Sequence, residues 1–279
     1  MGRRPGRRRP QRRRPPPKSR DDLGDNSVNV RLSVIIPVFR EERGITSLVD
    51  YLTTRALNES AEILVVDGDS ERRTLIALQG RNVIRIGSDA GRARQMNAGA
   101  AQARGDVLLF LHADTRLPTG ADTLIFQALR DSRLVGGAFK LAIDSPRAAL
   151  GLISAVANLR TRMTRIPYGD QAIFLRRAHF EELGGYADIP LMEDLELMFR
   201  VRCKGWPVAL LREAAFTSAR RWEQEGVWRC TLRNWGVRLF YHCGLSPARL
   251  RRFYPTAESV NSGAHPSPTG GDRSDSMVS

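Results

Sequence analysis

Four short apolar runs, alternating with segments of helical periodicity, constrain this chain more than any other feature of it. Leu32–Val38 (LSVIIPV), residues 63–66 of EILVVDGDS, a weaker run at 83–86 and 107–111 (VLLFL) read as strands covered on both faces. Between them, Ile45, Leu48, Val49 and Leu52 repeat at helical spacing, and RARQMNAGAAQARG after Gly91 offers a small-residue face of Ala93, Ala100 and Ala101. Strand, helix, strand, helix, strand is the order that builds a parallel sheet with right-handed crossovers, so the chain is read as α/β.

The run at 107–111 leads directly into His112, Ala113 and Asp114, then a polar turn at 115–118. Ligands in open α/β sheets bind beyond the carboxyl ends of strands. An acid placed there can hold a divalent metal, and the metal a diphosphate. One such Asp is equally well a turn cap. Here three strand ends, near Phe39, Val66 and Leu111, deliver polar or acidic groups to one rim, which favours a site. No G-x-G-x-x-G follows the first strand, so a dinucleotide site is disfavoured.

The second half has a different pattern. A helix is expected over 122–131 with Leu124, Ile125, Ala128 and Leu129 inward, and a strand with one wet face over 136–143. Residues 148–159 read as an apolar core helix, too short to span a bilayer. A strand at 172–175 follows Gly169-Asp170-Gln171. A helix within 190–206 carries Glu193, Asp194 and Glu196 in its first turn, where the helix dipole favours acids whatever their function. After a last strand at 208–211 and SARRW, the segment 227–243 sets Trp228, Leu232, Trp235 and Leu239 on one face. Core packing is the usual fate of such a stripe; a second subunit or a membrane surface are the other partners it suits.

Charge points first to nucleic acid, since the net charge is +14. Its distribution argues against that. Ten of the 44 basic residues lie in the first twenty, leaving 34 against 30 acids, a balance of only +4. Residues 1–30 are read as a disordered Arg/Pro-rich tail, 31–254 as the folded domain and 255–279 as a second disordered tail. No apolar run follows the arginines as in a secretory signal. Three widely spaced cysteines, Cys203, Cys230 and Cys243, fit a reducing cytoplasm better than a zinc site.

Taken together, SVIIPVFREE, VVDGDS, GRARQMNAGAAQARGDVLLFLHADT and LMEDLELMFRVRCKGW resemble the family 2 glycosyltransferases of the GT-A fold. HADTRLP, PYGDQAIFLRR and IPLMEDLEL are most similar to a small bacterial subfamily named for its association with radical-SAM and selenoprotein-related genes. The resemblance implies a mostly parallel central sheet flanked by helices, and an inverting transfer of sugar from a nucleotide-diphosphate sugar, most readily a UDP-sugar, to an acceptor hydroxyl. It assigns Pro37, Glu41, Asp67, Asn97 and His112 to the nucleotide sugar and Asp114 to a Mg²⁺ or Mn²⁺ ion. Asp194, beside Glu193, becomes the general base, with Arg221 near the diphosphate and Asp170, Gln171 and Trp222 on the acceptor side. His112 stands where the family's motif usually has an Asp, and is read as a nucleotide contact before a metal ligand.

These roles imply a cytoplasmic enzyme, at the inner face of the membrane if the 227–243 helix meets lipid. A lipid-linked acceptor and a homodimer are compatible partners; nucleic acid is disfavoured. A nucleotidyltransferase is the first alternative, weakened because the loop FREERG puts two acids where a triphosphate would lie. A nucleotide-sugar-binding module without catalysis is the second.

Overall fold

The computed structural model describes residues 31–58 and 60–250. Both tails expected at 1–30 and 255–279 lie outside the described residues. The elements in order are β1 (Leu32–Val38), α1 (Ile45–Tyr51) widening into a π-type turn at Leu52–Ala56, β2 (Ala61–Asp67), α2 (Arg73–Ala77), β3 (Ile84–Gly87), α3 (Arg92–Gln102) and β4 (Val107–Phe110). Then come β5 (Thr115–Arg116), α4 (Ala121–Ala128), β6 (Gly136–Asp144), α5 (Ala148–Thr164), a 3₁₀ turn at Gly169–Gln171, β7 (Phe174–Arg176) and α6 (Arg177–Glu182). The last are α7 (Glu193–Cys203), β8 (Val208–Ser218), α8 (Arg220–Glu225), α9 (Val227–His242) and α10 (Pro247–Leu250).

Eight strands form one sheet in the order β3-β2-β1-β4-β7-β6-β8-β5. The first four named are parallel, and β6 runs parallel to β8; β7 and β5 are antiparallel to their neighbours. The α/β expectation therefore holds, with a mixed, mostly parallel sheet.

Alternation along β1 divides the interior. Leu32, Val34 and Ile36 face α1 and α4, whereas Ile35 faces α3 and α7 with Leu64, Leu108 and Phe110. Residues of β1 and β4 are apolar on both sides because helices cover both faces. Burial of each such side chain contributes about 1.5–3 kcal/mol. Close approach of α3 depends on Gly99: a Cβ there would lie 2.5 Å from Ile35 Cγ2. The small face of α3 is thus Ala93, Gly99 and Ala100, with Ala101 exposed rather than inward as its spacing suggested.

Three other elements depart from the sequence reading. β8 is eleven residues long, because Arg212 and Glu213 bulge outward between the pairs Ala138–Leu210 and Lys140–Ala214 and the strand then resumes. The polar turn after Asp114 contains β5, which pairs with Thr217 and Phe216. The helix read as core, α5, buries only Leu150, Ser154 and Thr161, while Leu152, Val156, Leu159 and Met163 are exposed. One side of α5 packs on β6 and the described residues leave its other side open. The stripe on α9 is likewise outside the core: Trp228 is 71% and Leu232 64% exposed.

Candidate active site

The rim beyond β1, β2 and β4 is fixed by backbone pairing and by one buried amide. The register sets Val38 beside Asp67 and Pro37 beside Val66, at the end of β1 as the sequence reading had it. Gln95, buried on α3, donates to the carbonyls of Val38 (2.6 Å) and Val66 (2.8 Å), tying the ends of β1 and β2 together. Sequence reading missed this residue, since a polar side chain inside a helix carries no spacing signal.

Asp67 is fully buried, and its Oδ1 accepts from the Asp69 N–H at 2.9 Å. Its Oδ2 is buried with no hydrogen-bond partner among the described residues. Burial pushes its carboxyl up from the usual range, against the backbone donors that favour the charge. An acceptor so placed at a strand end can take a donor from water or from a ligand N–H. Next to it, Asp69 lies 3.6 Å from Arg40.

Glu41, from the loop after β1, comes within 3.6 Å of Arg220 on α8. Burial raises its carboxyl, Arg220 opposes this, and Asp114 adds to it, so the loop, α8 and Asp114 share one electrostatic neighbourhood. Asp114 itself is exposed to solvent and accepts one long hydrogen bond, 3.3 Å, from the Thr115 hydroxyl. Its backbone is anchored: the Ser218 N–H donates to its carbonyl at 2.9 Å, next to the β5–β8 pairing. Among the described residues no three His, Cys, Asp or Glu side chains cluster to hold a metal. One exposed carboxylate fits a cation that arrives with a diphosphate and takes its remaining ligands from phosphate and water.

His112 is held neutral, its imidazole pushed down to about 4 by burial first and by Arg92, against the opposing pull of Asp114 and Asp194. Asp194 stands in the first turn of α7, which Met192 enters in a left-handed conformation. Its Oδ2 accepts from the Gly169 N–H at 2.6 Å and its Oδ1 from the Leu195 N–H at 2.8 Å. The carboxylate is therefore aimed by two backbone donors. Gly169 is required by that geometry, because a Cβ there would lie 2.8 Å from His112 Nε2 and 3.1 Å from Asp194 Oδ2. Glu193 is buried 3.6 Å from Arg92; burial raises its carboxyl and Arg92 opposes the rise.

The structure separates other residues that the sequence grouped. Asn97 uses both amide atoms on the Tyr186 backbone, at 2.8 and 2.9 Å, and so anchors a loop. Gln171 is buried, accepting from Thr161 (2.8 Å) and Tyr168 (3.2 Å) and donating to the Phe139 carbonyl (3.2 Å). Its neighbour Asp170 instead lines a cleft of about 290 Å³ with Trp222. Burial pushes the Asp170 carboxyl up, while Arg238 and Arg160 pull it down and Asp194 adds to the rise. Arg221 shares the electrostatic surroundings of His112.

The chain as a whole is similar to known proteins. The chain is 27% identical over 238 residues to a probable glycosyltransferase, YdaM, of Bacillus subtilis, covering 75% of this chain but 53% of that protein, so it spans about half the relative's length. Among solved structures it is similar to S. aureus TarS in complex with UDP (TM-score 0.54, 17% identity, 67% of this chain and 60% of that one). It is also similar to the mannosyltransferase PcManGT from Pyrobaculum calidifontis in complex with GDP-Man and Mn²⁺ (TM-score 0.54, 19% identity, 67% and 56%). At such identities the two structures establish the GT-A fold. Glycosyl transferase family 2 matches residues 33–183, more than half of the chain and the whole rim from β1 to β7, and the chain belongs to that family.

Proposed function

We propose that the chain is an inverting glycosyltransferase that moves a sugar from a nucleotide-diphosphate sugar to an acceptor hydroxyl. The carrying observation is the Asp194 carboxylate, aimed by the N–H groups of Gly169 and Leu195 beside a neutral His112. A base in that position takes the acceptor's proton as its oxygen attacks the anomeric carbon, and general-base action of this kind contributes a factor of about 10²–10⁴. Displacement from the face opposite the diphosphate inverts that carbon, so no carboxylate nucleophile is required.

The unpartnered Oδ2 of Asp67 suits a nucleobase N–H, such as that of uracil, which favours a UDP-sugar donor. Neutral His112 is suited to a ribose hydroxyl, and the resemblance assigns Pro37 and Glu41 to the same nucleotide. Asp114 would hold Mg²⁺ or Mn²⁺, which supplies charge neutralisation on the departing diphosphate. Arg220 and Arg221 supply cations on the same side. Glu193, paired with Arg92, supports the head of α7. On the acceptor side the reading extends to a lipid-linked hydroxyl taken at the inner face of the membrane, with Asp170 and Trp222 beside it. HADTRLP and PYGDQAIFLRR support the radical-SAM-associated subfamily.

Thermal-shift titration of the full chain with UDP-, GDP- and TDP-sugars, with and without Mn²⁺, tests the donor. Stabilisation that requires the metal and is lost in Asp114→Ala is the expected result. No stabilisation by any nucleotide sugar overturns the reading. Binding without transfer in every acceptor screen leaves the catalytically silent module as the better description.

A further inference from the structure

The cleft between α5 and α9 opens one residue from the Asp194 contact, since Asp170 lines it and Gly169 donates to Asp194. Its walls combine two chemistries. Ile153, Val156, Trp222 and Trp235 are apolar or aromatic. Against them, Trp222 Nε1, Thr231 Oγ1, Asn234 Oδ1 and Arg160 Nε are buried with no hydrogen-bond partner among the described residues. Thr231 is itself 7% exposed. Buried polar groups are ordinarily satisfied, so this many in one cleft mark a place for a hydroxylated ligand. Arg160 and Arg238 both lie over the Tyr168 ring, at 3.3 and 4.4 Å from its centroid, and close the inner end with positive charge.

The mouth of the cleft is flanked by two matching stripes. Leu152, Val156, Leu159 and Met163 on α5, and Trp228, Leu232, Trp235 and Leu239 on α9, repeat at the same spacing and are all exposed. Val156 and Trp235 belong both to the stripes and to the cleft. Residues 147–165 and 226–250 contain eight arginines and no acid. Apolar side chains among cations, with no opposing charge, complement an anionic bilayer surface. A protein partner would have to match the apolar stripes and the positive charge with one face of its own.

Resting on the glycosyltransferase reading, we infer that the acceptor is a membrane lipid with a hydroxylated head. The head enters the α5–α9 cleft and presents its hydroxyl to Asp194. The two stripes seat the enzyme on the anionic leaflet, so the lipid need not leave the bilayer.

The full chain is mixed with vesicles of phosphatidylcholine alone or with phosphatidylglycerol added. Partitioning onto the anionic vesicles is expected, with Trp228 quenched by brominated phospholipid. The arginine-rich tail alone would hold the protein at the surface without that quenching. Leu152→Glu with Leu232→Glu, neither in the cleft, should weaken partitioning at least about tenfold while UDP-sugar binding stays unchanged. Thr231→Val with Asn234→Leu should keep vesicle binding but raise KM for dodecyl glucoside several-fold in transfer from UDP-GlcNAc or GDP-mannose. Partitioning indifferent to the glutamates, or a KM unchanged by the cleft pair, overturns the inference. So does a dimer that dissociates in the glutamate variant without any lipid binding. Loss of all nucleotide-sugar binding in the wild-type chain would instead defeat the glycosyltransferase reading, whatever the vesicles show.

Discussion

The half of the molecule built on β1 to β4 and the half built on α5, α8 and α9 differ in where they put their apolar groups. In the strand half, the strand side chains are hidden and the polar groups inside it are tied down, Gln95 to two carbonyls and Glu62 to Ser33 and Arg104, while acids at the rim such as Asp67 keep an oxygen without a partner among the described residues. In the helix half, apolar side chains of α5 and α9 stand exposed, and several buried polar atoms in the cleft lack partners among the described residues. A surface that serves only its own fold would show neither feature. The strand half falls almost wholly within the family match over residues 33–183. The helix half is where we infer a partner outside the chain.

The largest test of this contrast is chemical, at the junction of the halves. Asp194→Asn keeps an acceptor for only one of the two N–H groups of Gly169 and Leu195 and removes the base. Transfer should fall by about 10²–10⁴ with donor binding intact, read as kcat against a nucleotide titration. Gly169→Ala pushes a methyl between His112 and Asp194 and should cost about tenfold or more in kcat, with a small change in Tm. Normal turnover in either variant would break the assignment of Asp194.

In the strand half, Leu109→Ala should cost about 2–5 kcal/mol in chemical denaturation, as a fully buried side chain. Glu62 sharpens the picture through pH. Burial raises its carboxyl, but hydrogen bonds from Ser33 and Arg104 outweigh this and hold it below the usual value. A depressed folded pKa gives stability that is present above the unfolded value, near 4.5, and lost as pH falls through the folded one. Glu62→Gln should therefore lower Tm at pH 7 and flatten its dependence in the acid range below about pH 4.5. An unchanged acid limb would show that the bonds to Ser33 and Arg104 do not hold in solution.

The smallest expected effect is the most telling for the other half. Leu159→Ser on the α5 stripe should change stability by less than about 0.5 kcal/mol, because that side chain is already in water. A loss of several kcal/mol would mean that residues outside 31–250 cover the stripe, and the comparison between the halves would collapse.

Legibility followed the same division. The strand ends carrying Asp67 and Asp114 were readable because a strand covered on both faces has a distinctive apolar run and its end must emerge at the rim. Asp194 was placed by resemblance and then given a physical reason by Gly169. Asn97 and Gln171 show the limit. Both lie in matching motifs, yet their amides are absorbed by Tyr186 and by Thr161, Tyr168 and Phe139. Tyr168 caps the same turn three residues before Gln171, but the other partners lie on other elements, and no spacing rule reveals those. β8 was cut short at 211 because Arg212 and Glu213 break the apolar pattern, and only pairing with β6 restores the strand beyond them.

By itself, then, the sequence determined the α/β order, the helices on both faces of the first four strands, and the acids at the rim. Each follows from local periodicity and from the rule that a buried run must end at a surface. Only the tertiary structure decided that α5 and α9 turn their apolar faces outward around a cleft. An amphipathic period states that a helix has two sides, and what lies against each side depends on neighbours that the period does not encode.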